Sequence, residues 1–196
     1  MTLFMKILIA SLALVALAAL VSAGCAAIRA GYESAPYKVV RRDGKVELRD
    51  YPALVVAETP MRGADGSFMR LFHFIGGENA AKQKIAMTTP VFMSGTGGTN
   101  ATMAFVMPAK SGTTNLPQPT APGVMLKEIP DGEFAVLRFS GGRSVQTATN
   151  AEARLRAWLT QENISPAGEP VFAYFDPPWT LSFLRRNEVM FRVAQP

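Results

Sequence analysis

The sequence predicts an α+β domain in which a distorted antiparallel β-barrel, or a curled sheet, carries two helices. Three observations predict it. Short Val-, Leu- and Phe-rich stretches bounded by turn residues mark strands. Two stretches with apolar residues at helical spacing mark helices. The order strand, strand, helix, strand, strand then occurs twice, about 80 residues apart. That period is far too long for a solenoid unit, so the copies are expected to merge as a pseudo-two-fold duplicated β-β-α-β-β unit within one antiparallel sheet system.

Residues 1–25 precede this fold as a targeting segment. Lys6 is the only charge before Ile7 to Val21, a run of Ile, Leu, Ala and Val that only Ser11 interrupts, as in the apolar region of a signal peptide. The run closes on Val21-Ser22-Ala23-Gly24-Cys25, which resembles the lipobox of bacterial lipoproteins, whose cysteine receives diacylglycerol and becomes the N-terminus. Ser22 departs from that pattern, which usually has Leu there. Two alternatives stay open: ordinary cleavage after Val21-Ser22-Ala23, giving a soluble periplasmic or secreted protein, and an uncleaved anchor near the ~20 residues a bilayer requires. Each exports the chain, and lipid on Cys25 would hold it at a membrane facing the periplasm or cell surface. Residues Ala26 to Pro36 read as a tether of small and polar residues.

The body, residues 37–196, divides into halves of about 37–115 and 123–196. Lys45 to Arg49 and Ala53 to Thr59 read as paired strands around Asp50-Tyr51-Pro52. Ser67 is the expected N-cap of a helix in which Phe68, Leu71, Phe72 and Ile75 fall at i, i+3, i+4 and i+7, and Gly76-Gly77 ends it. Lys84 to Met93 and Ala101 to Met107 follow as strands joined by the Gly- and Thr-rich stretch from Ser94 to Asn100. In the second half, Val124 to Ile129 and Glu133 to Phe139 flank Pro130-Asp131-Gly132, which has hairpin-turn chemistry. A helix over Thr149 to Asn163 carries the stripe Ala151, Leu155, Trp158 and Leu159, and strands Pro170 to Phe175 and Glu188 to Val193 complete the chain. The Pro-rich segment Leu116 to Pro122 is the stiff link between halves.

Composition removes many chemistries. The formal charge is +5, but its basic residues are dispersed, so no nucleic-acid footprint is expected. One cysteine forbids an internal disulfide, a Cys-x-x-Cys pair and a cysteine zinc site, and one histidine, His73, forbids a His-Glu-x-x-His helix. No phosphate loop, nucleophile elbow or dinucleotide fingerprint is present. A binding protein survives, as does an enzyme working through carboxylates or a bound cofactor.

Five stretches, DGKVELRDYPALVVAET, FIGGENAAKQKIAMTTPVFM, MAFVMP, EFAVLRFSG and YFDPPWT followed by RRNEVMF, together resemble the SOUL / haem-binding protein family from about Tyr37 to Val193. The most specific are Gly-Gly-x-Asn with Lys-Ile-x-Met-Thr-x-Pro-Val, and the Asp-Pro-Pro ahead of Arg-Arg-Asn-Glu. The resemblance implies a distorted β-barrel with two helices built from a duplicated unit. It also implies non-covalent binding of haem or another tetrapyrrole in a shallow apolar groove beside the first helix, with no shared axial ligand. Enzymatic activity is not expected. A structural or interaction module, or a binder of another flat apolar ligand, is the alternative.

The groove is expected to take its walls from Phe68, Met69, Phe72 and Met87, with Arg70 and Lys84 near enough to hold propionates. His73 is the one imidazole that could ligate haem iron. With Phe68, Leu71, Phe72 and Ile75 facing the core, however, it lies roughly 150° away and faces water. Met87, Met93, Met103 and Met107 sit at core-like strand spacing, although thioethers also suit a flat apolar ligand. Asp176 and the Arg185-Arg186-Asn187-Glu188 run read as a turn and a charged hairpin end, not as an acid/base pair.

Overall fold

The computed structural model describes residues 31–194 except 62–65, 96–99 and 112–115, together with a few positions among the first 24. Cys25 and most of the expected targeting segment lie outside the described residues. Strands are β1 (Glu33–Ser34), β2 (Lys38–Asp43), β3 (Val46–Tyr51), β4 (Leu54–Pro60), β5 (Thr88–Thr89), β6 (Val91–Ser94), β7 (Thr102–Val106), β8 (Met125–Ile129), β9 (Gly132–Phe139), β10 (Pro166–Tyr174) and β11 (Asn187–Val193). Helix α1 spans Ser67–Gly76 and α2 spans Val145–Gln161. Among the described residues no helix is long and apolar enough to cross a membrane.

Nine strands form one antiparallel sheet in the order β2-β3-β9-β11-β10-β6-β7-β4-β8, while β1 and β5 make a small parallel pair. The sheet curls without closing. β3 and β4 stand six places apart in the order, about 29 Å in a flat sheet. Yet the three steps from Tyr51 to Leu54 span at most about 11 Å, so the sheet must roll until these strands approach. Its inner face then packs on itself, with Tyr51, Leu54, Val56, Phe92, Phe134 and Met190 in one buried cluster. The edges β2 and β8 do not pair with each other. The curled sheet is therefore the form taken, and the barrel expectation is corrected.

The expected pairing of β6 with β7 is present, but two other expected hairpins are corrected. β3 pairs with β2 and β9, and β4 pairs with β7 and β8, so neither β3 with β4 nor β8 with β9 forms a pair. Sequence neighbours part because each finds its partner in the other half, joining Leu48 to Ala135 and Val56 to Lys127. Exchanging β3 with β8, β4 with β9, β6 with β10 and β7 with β11 turns the order of these eight strands into its own reverse. β2 was not foreseen, and Gly44, at φ +55°, makes its turn into β3. Glu33–Ser34, in the segment read as a tether, pair with Thr88–Thr89.

Both helices lie on the outer face. Phe172, Met93 and Met103 are successive cross-strand partners and hence share that face. Over it α2 buries Ala151, Leu155 and Leu159 against β9, β10 and β11. This helix starts a turn earlier than expected because the Ser144 hydroxyl caps it, accepting from the Thr147 N–H at 3.2 Å. α1 covers β4 and β7, and its buried residues are Ser67, Leu71, Phe74 and Ile75. The expected inward placement of Phe68 and Phe72 is therefore wrong. Six of the ten residues of α1 are large and apolar, more than one helix face can bury, so periodicity alone did not fix which arc meets the sheet. Ser67 is also inside the helix, with Gly66 at the N-cap.

Lys84 to Met93 is not one strand. Only β5 and β6 are extended pairs, and residues 80–87 run irregularly past the end of α1. Asn79 holds this turn: its amide donates to the Phe74 and Gln83 carbonyls at 2.9 and 2.7 Å, and its oxygen accepts from the Gln83 N–H at 3.0 Å. Gly77, at φ +116°, supplies the left-handed C-cap. The Gly-Gly-x-Asn motif is thus a helix terminator. The Pro-rich link docks against the same corner, where Thr120 donates to the Glu78 carbonyl and Ala80 to that of Gln118.

Candidate functional site

The arc of α1 that the sheet leaves uncovered holds Phe68, Met69, Phe72 and His73. Phe68 and Phe72 stack at 6.0 Å between ring centres and 16° between planes, and Phe68 meets the buried Phe105 of β7 edge-on at 5.2 Å. The stack is thereby anchored below, while Phe68, Met69 and Phe72 are 41%, 47% and 47% exposed. Burial would ordinarily claim such side chains. Their exposure side by side makes an apolar platform supported by the core.

His73 lies one helical step beyond Phe72, about 100° around the axis, and is exposed as expected. Its Nδ1 is engaged by the Glu78 carboxylate, so Nε2 is the ring nitrogen left toward solvent. Met87 is half-buried beneath α1 with Met93, while Met103 and Met107 are fully in the core. Lys84 is exposed. Arg70 differs from expectation: its guanidinium donates to Thr59 Oγ1 at 3.2 Å and to the Pro60 carbonyl at 2.9 Å, clamping α1 to the end of β4.

A second constellation escaped the sequence reading. Glu188 does not end a solvated hairpin; it is fully buried on the inner face of the sheet. Its carboxylate accepts from Arg49 at 2.7 and 3.0 Å and from Arg186 at 2.7 and 3.0 Å. Arg49 also donates to Glu47 at 2.7 Å and to the Tyr51 hydroxyl at 3.2 Å, with its guanidinium 4.2 Å from the centre of the Tyr37 ring. Burial by itself would push the Glu188 carboxyl up, but the hydrogen bonds and charges of the two arginines outweigh it and hold the group below the ordinary carboxylate range. Burial likewise pushes the Tyr51 phenol up, to about 12, against the opposing charge of Arg49. The alternation of Glu188 with the inward Met190 was the available signal. Asp176 is structural, accepting from the Arg186 N–H at 2.6 Å.

A family model described as SOUL heme-binding protein matches residues 32–192. No curated protein matches the chain. Among solved structures, the C-terminal domain of EcmrR is similar at 17% identity and a TM-score of 0.52, covering 82% of this chain and 99% of its own. A hydrolase from Listeria innocua is similar at 12% identity and a TM-score of 0.54, covering 79% and 94% respectively. An uncharacterized conserved protein from the same organism matches at 13% identity and a TM-score of 0.54, covering 76% and 92%. At such identities these likenesses show the fold alone.

Proposed function

Because the chain belongs to the SOUL heme-binding protein family, we propose that it binds haem or another tetrapyrrole non-covalently on the uncovered face of α1, as a binder rather than an enzyme. The observation that carries this reading is the exposed Phe68–Phe72 stack with Met69 beside it. A porphyrin is flat and apolar over most of its area, and such a platform matches it by stacking and dispersion. Phe68, Met69 and Phe72 would hold the macrocycle, Met87 would back it, and Lys84 rather than the engaged Arg70 would meet a propionate. Iron, when present, would supply a site for an axial donor, and His73 offers Nε2 at the platform's edge.

Haemin and protoporphyrin IX titrated in parallel into the full chain test this. Equal binding of both, retained within about threefold in His73→Ala, means that apolar contact carries the affinity, since threefold is under 1 kcal/mol. Phe68→Ser/Phe72→Ser should weaken both porphyrins at least tenfold with the far-UV spectrum unchanged. Loss of the haemin Soret shift in His73→Ala, with protoporphyrin IX still bound, would make His73 the axial ligand. Absence of any porphyrin binding would refute the reading and leave the face to a protein partner.

Two further parts of the proposal concern the chain as a whole. It is exported and held at a membrane by lipid on Cys25, which the apolar run Ile7 to Val21 and the ending Val21-Ser22-Ala23-Gly24-Cys25 support. Cys25→Ala should abolish lipid labelling, and unchanged mass and membrane retention would refute this. The body is two copies of one β-β-α-β-β unit, a reading that the palindromic strand order supports.

A further inference from the structure

The loop joining β10 to β11 presents Trp179, Leu181 and Phe183 to solvent at 79%, 54% and 69% exposure. This is a fixed display. Arg185 donates from Nε to the Thr180 carbonyl at 2.8 Å and from its terminal nitrogen to that of Pro178. Arg186 N–H is held by Asp176, and the Ser182 carbonyl accepts from Gly141 at 2.9 Å. A braced loop thus holds three large apolar tips, at alternate positions, in water.

Phe183 also lines a cleft of about 670 Å³ at the end of the sheet formed by β3, β9 and β11. Six arginines and lysines line it against only two carboxylates, Glu47 and Glu188. Both carboxylates are already engaged, by Arg42, Arg49 and Arg186. Lys45 and Arg138, adjacent through the Arg138 N–H to Lys45 carbonyl bond of 3.0 Å, have no carboxylate partner among the described residues. The rim therefore carries positive charge in excess next to an apolar tip.

We propose that this end of the molecule docks on an anionic phospholipid surface. Trp179, Leu181 and Phe183 enter the boundary between headgroups and acyl chains, and Lys45 and Arg138 meet lipid phosphates. Three tips on one loop are far too small for the roughly 800 Å² per partner of a stable protein interface. A bilayer needs only a shallow apolar insertion, an amphipathic ring such as indole at the headgroup level, and basic residues around it. The cleft supplies the charge complementarity, so an anionic rather than a zwitterionic surface is the occupant. This docking uses residues other than the α1 platform and does not require lipid on Cys25.

The chain has two tryptophans, and the other, Trp158, sits on α2 with its Nε1 donating to Asp43 at 2.8 Å. In Trp158→Phe full-length protein, Trp179 is the sole reporter, so its signal reads the loop whatever the N-terminal residues do. With vesicles of phosphatidylcholine and phosphatidylglycerol, its emission should shift to the blue and be quenched by brominated acyl chains. Phosphatidylcholine alone should give neither effect. Lys45→Gln/Arg138→Gln should weaken the response about tenfold or more, and high salt should remove it. Wild-type protein compared with Trp179→Phe repeats the test with α2 intact: lipid-dependent quenching present only in the former supports docking. Solvent-like Trp179 emission in both vesicle types would overturn the proposal, as would equal quenching in both.

Discussion

Replacing Glu188 by Gln keeps the shape of the side chain and removes the charge shared by the buried Arg49 and the half-buried Arg186. In the folded chain that carboxylate receives four charge-assisted hydrogen bonds, two from Arg49 and two from Arg186. Breaking a buried pair by removing one partner costs about 3–5 kcal/mol, because the other charge stays behind without compensation. Arg49 keeps Glu47 at 2.7 Å, and Arg186 keeps some solvent exposure, so the expected loss is near the lower end, about 3 kcal/mol. Urea unfolding followed by far-UV circular dichroism measures it at neutral pH. The Glu188 carboxyl lies below the ordinary range when folded, so its contribution is fully present above the pH at which an unfolded Glu titrates. That contribution fades as pH falls through the lower folded value. The stability gap between wild type and Glu188→Gln should therefore be widest near neutrality and narrow in acid. Arg49→Met/Glu188→Leu should recover most of the loss, since an apolar replacement of a buried pair is often neutral. A single-variant cost below about 1 kcal/mol, or a gap that widens in acid, would refute the reasoning.

The rotation of α1 is tested by a pair of substitutions: Phe74→Asp, which buries an unpaired charge at a fully buried position, should abolish folding, whereas Phe72→Asp on the uncovered face should cost less than about 1 kcal/mol. Asn79→Ala should cost about 1–3 kcal/mol in the same unfolding assay by removing the amide that donates to the Gln83 carbonyl and to that of Phe74, which keeps the longer Gly77 N–H at 3.3 Å; an effect within error would mean that water replaces the amide.

Strand and helix positions were legible because they are written locally. Lys45 to Arg49, Glu133 to Phe139 and the stripe Ala151, Leu155, Leu159 follow from alternation or helical spacing, although β3 runs on through Tyr51, which was expected in a turn. Pairing was not, because it depends on which distant segment arrives: nothing around Pro130-Asp131-Gly132 says that β8 will seek β4 rather than β9. The helix α1 was legible from its spacing but its expected orientation was wrong, since with six apolar side chains on α1 the arc that stays outside is decided by Phe105 and the sheet below. Arg49 and Glu188, 139 positions apart, gave no local sign that they would meet.

The interleaving of β3 with β9 and of β4 with β8 sets a schedule for the growing chain. β3 leaves the ribosome early, yet its partner Ala135 lies 87 positions after Leu48, and β9 in turn needs β11, which ends at Val193. The early strands cannot be seated until synthesis is nearly complete, so contacts between distant positions govern the folding rate. Neither half is a module that can be cut out. A chain halted after β7 would display β3 and β4 as open edges, and the complement it lacks could then come only from another molecule.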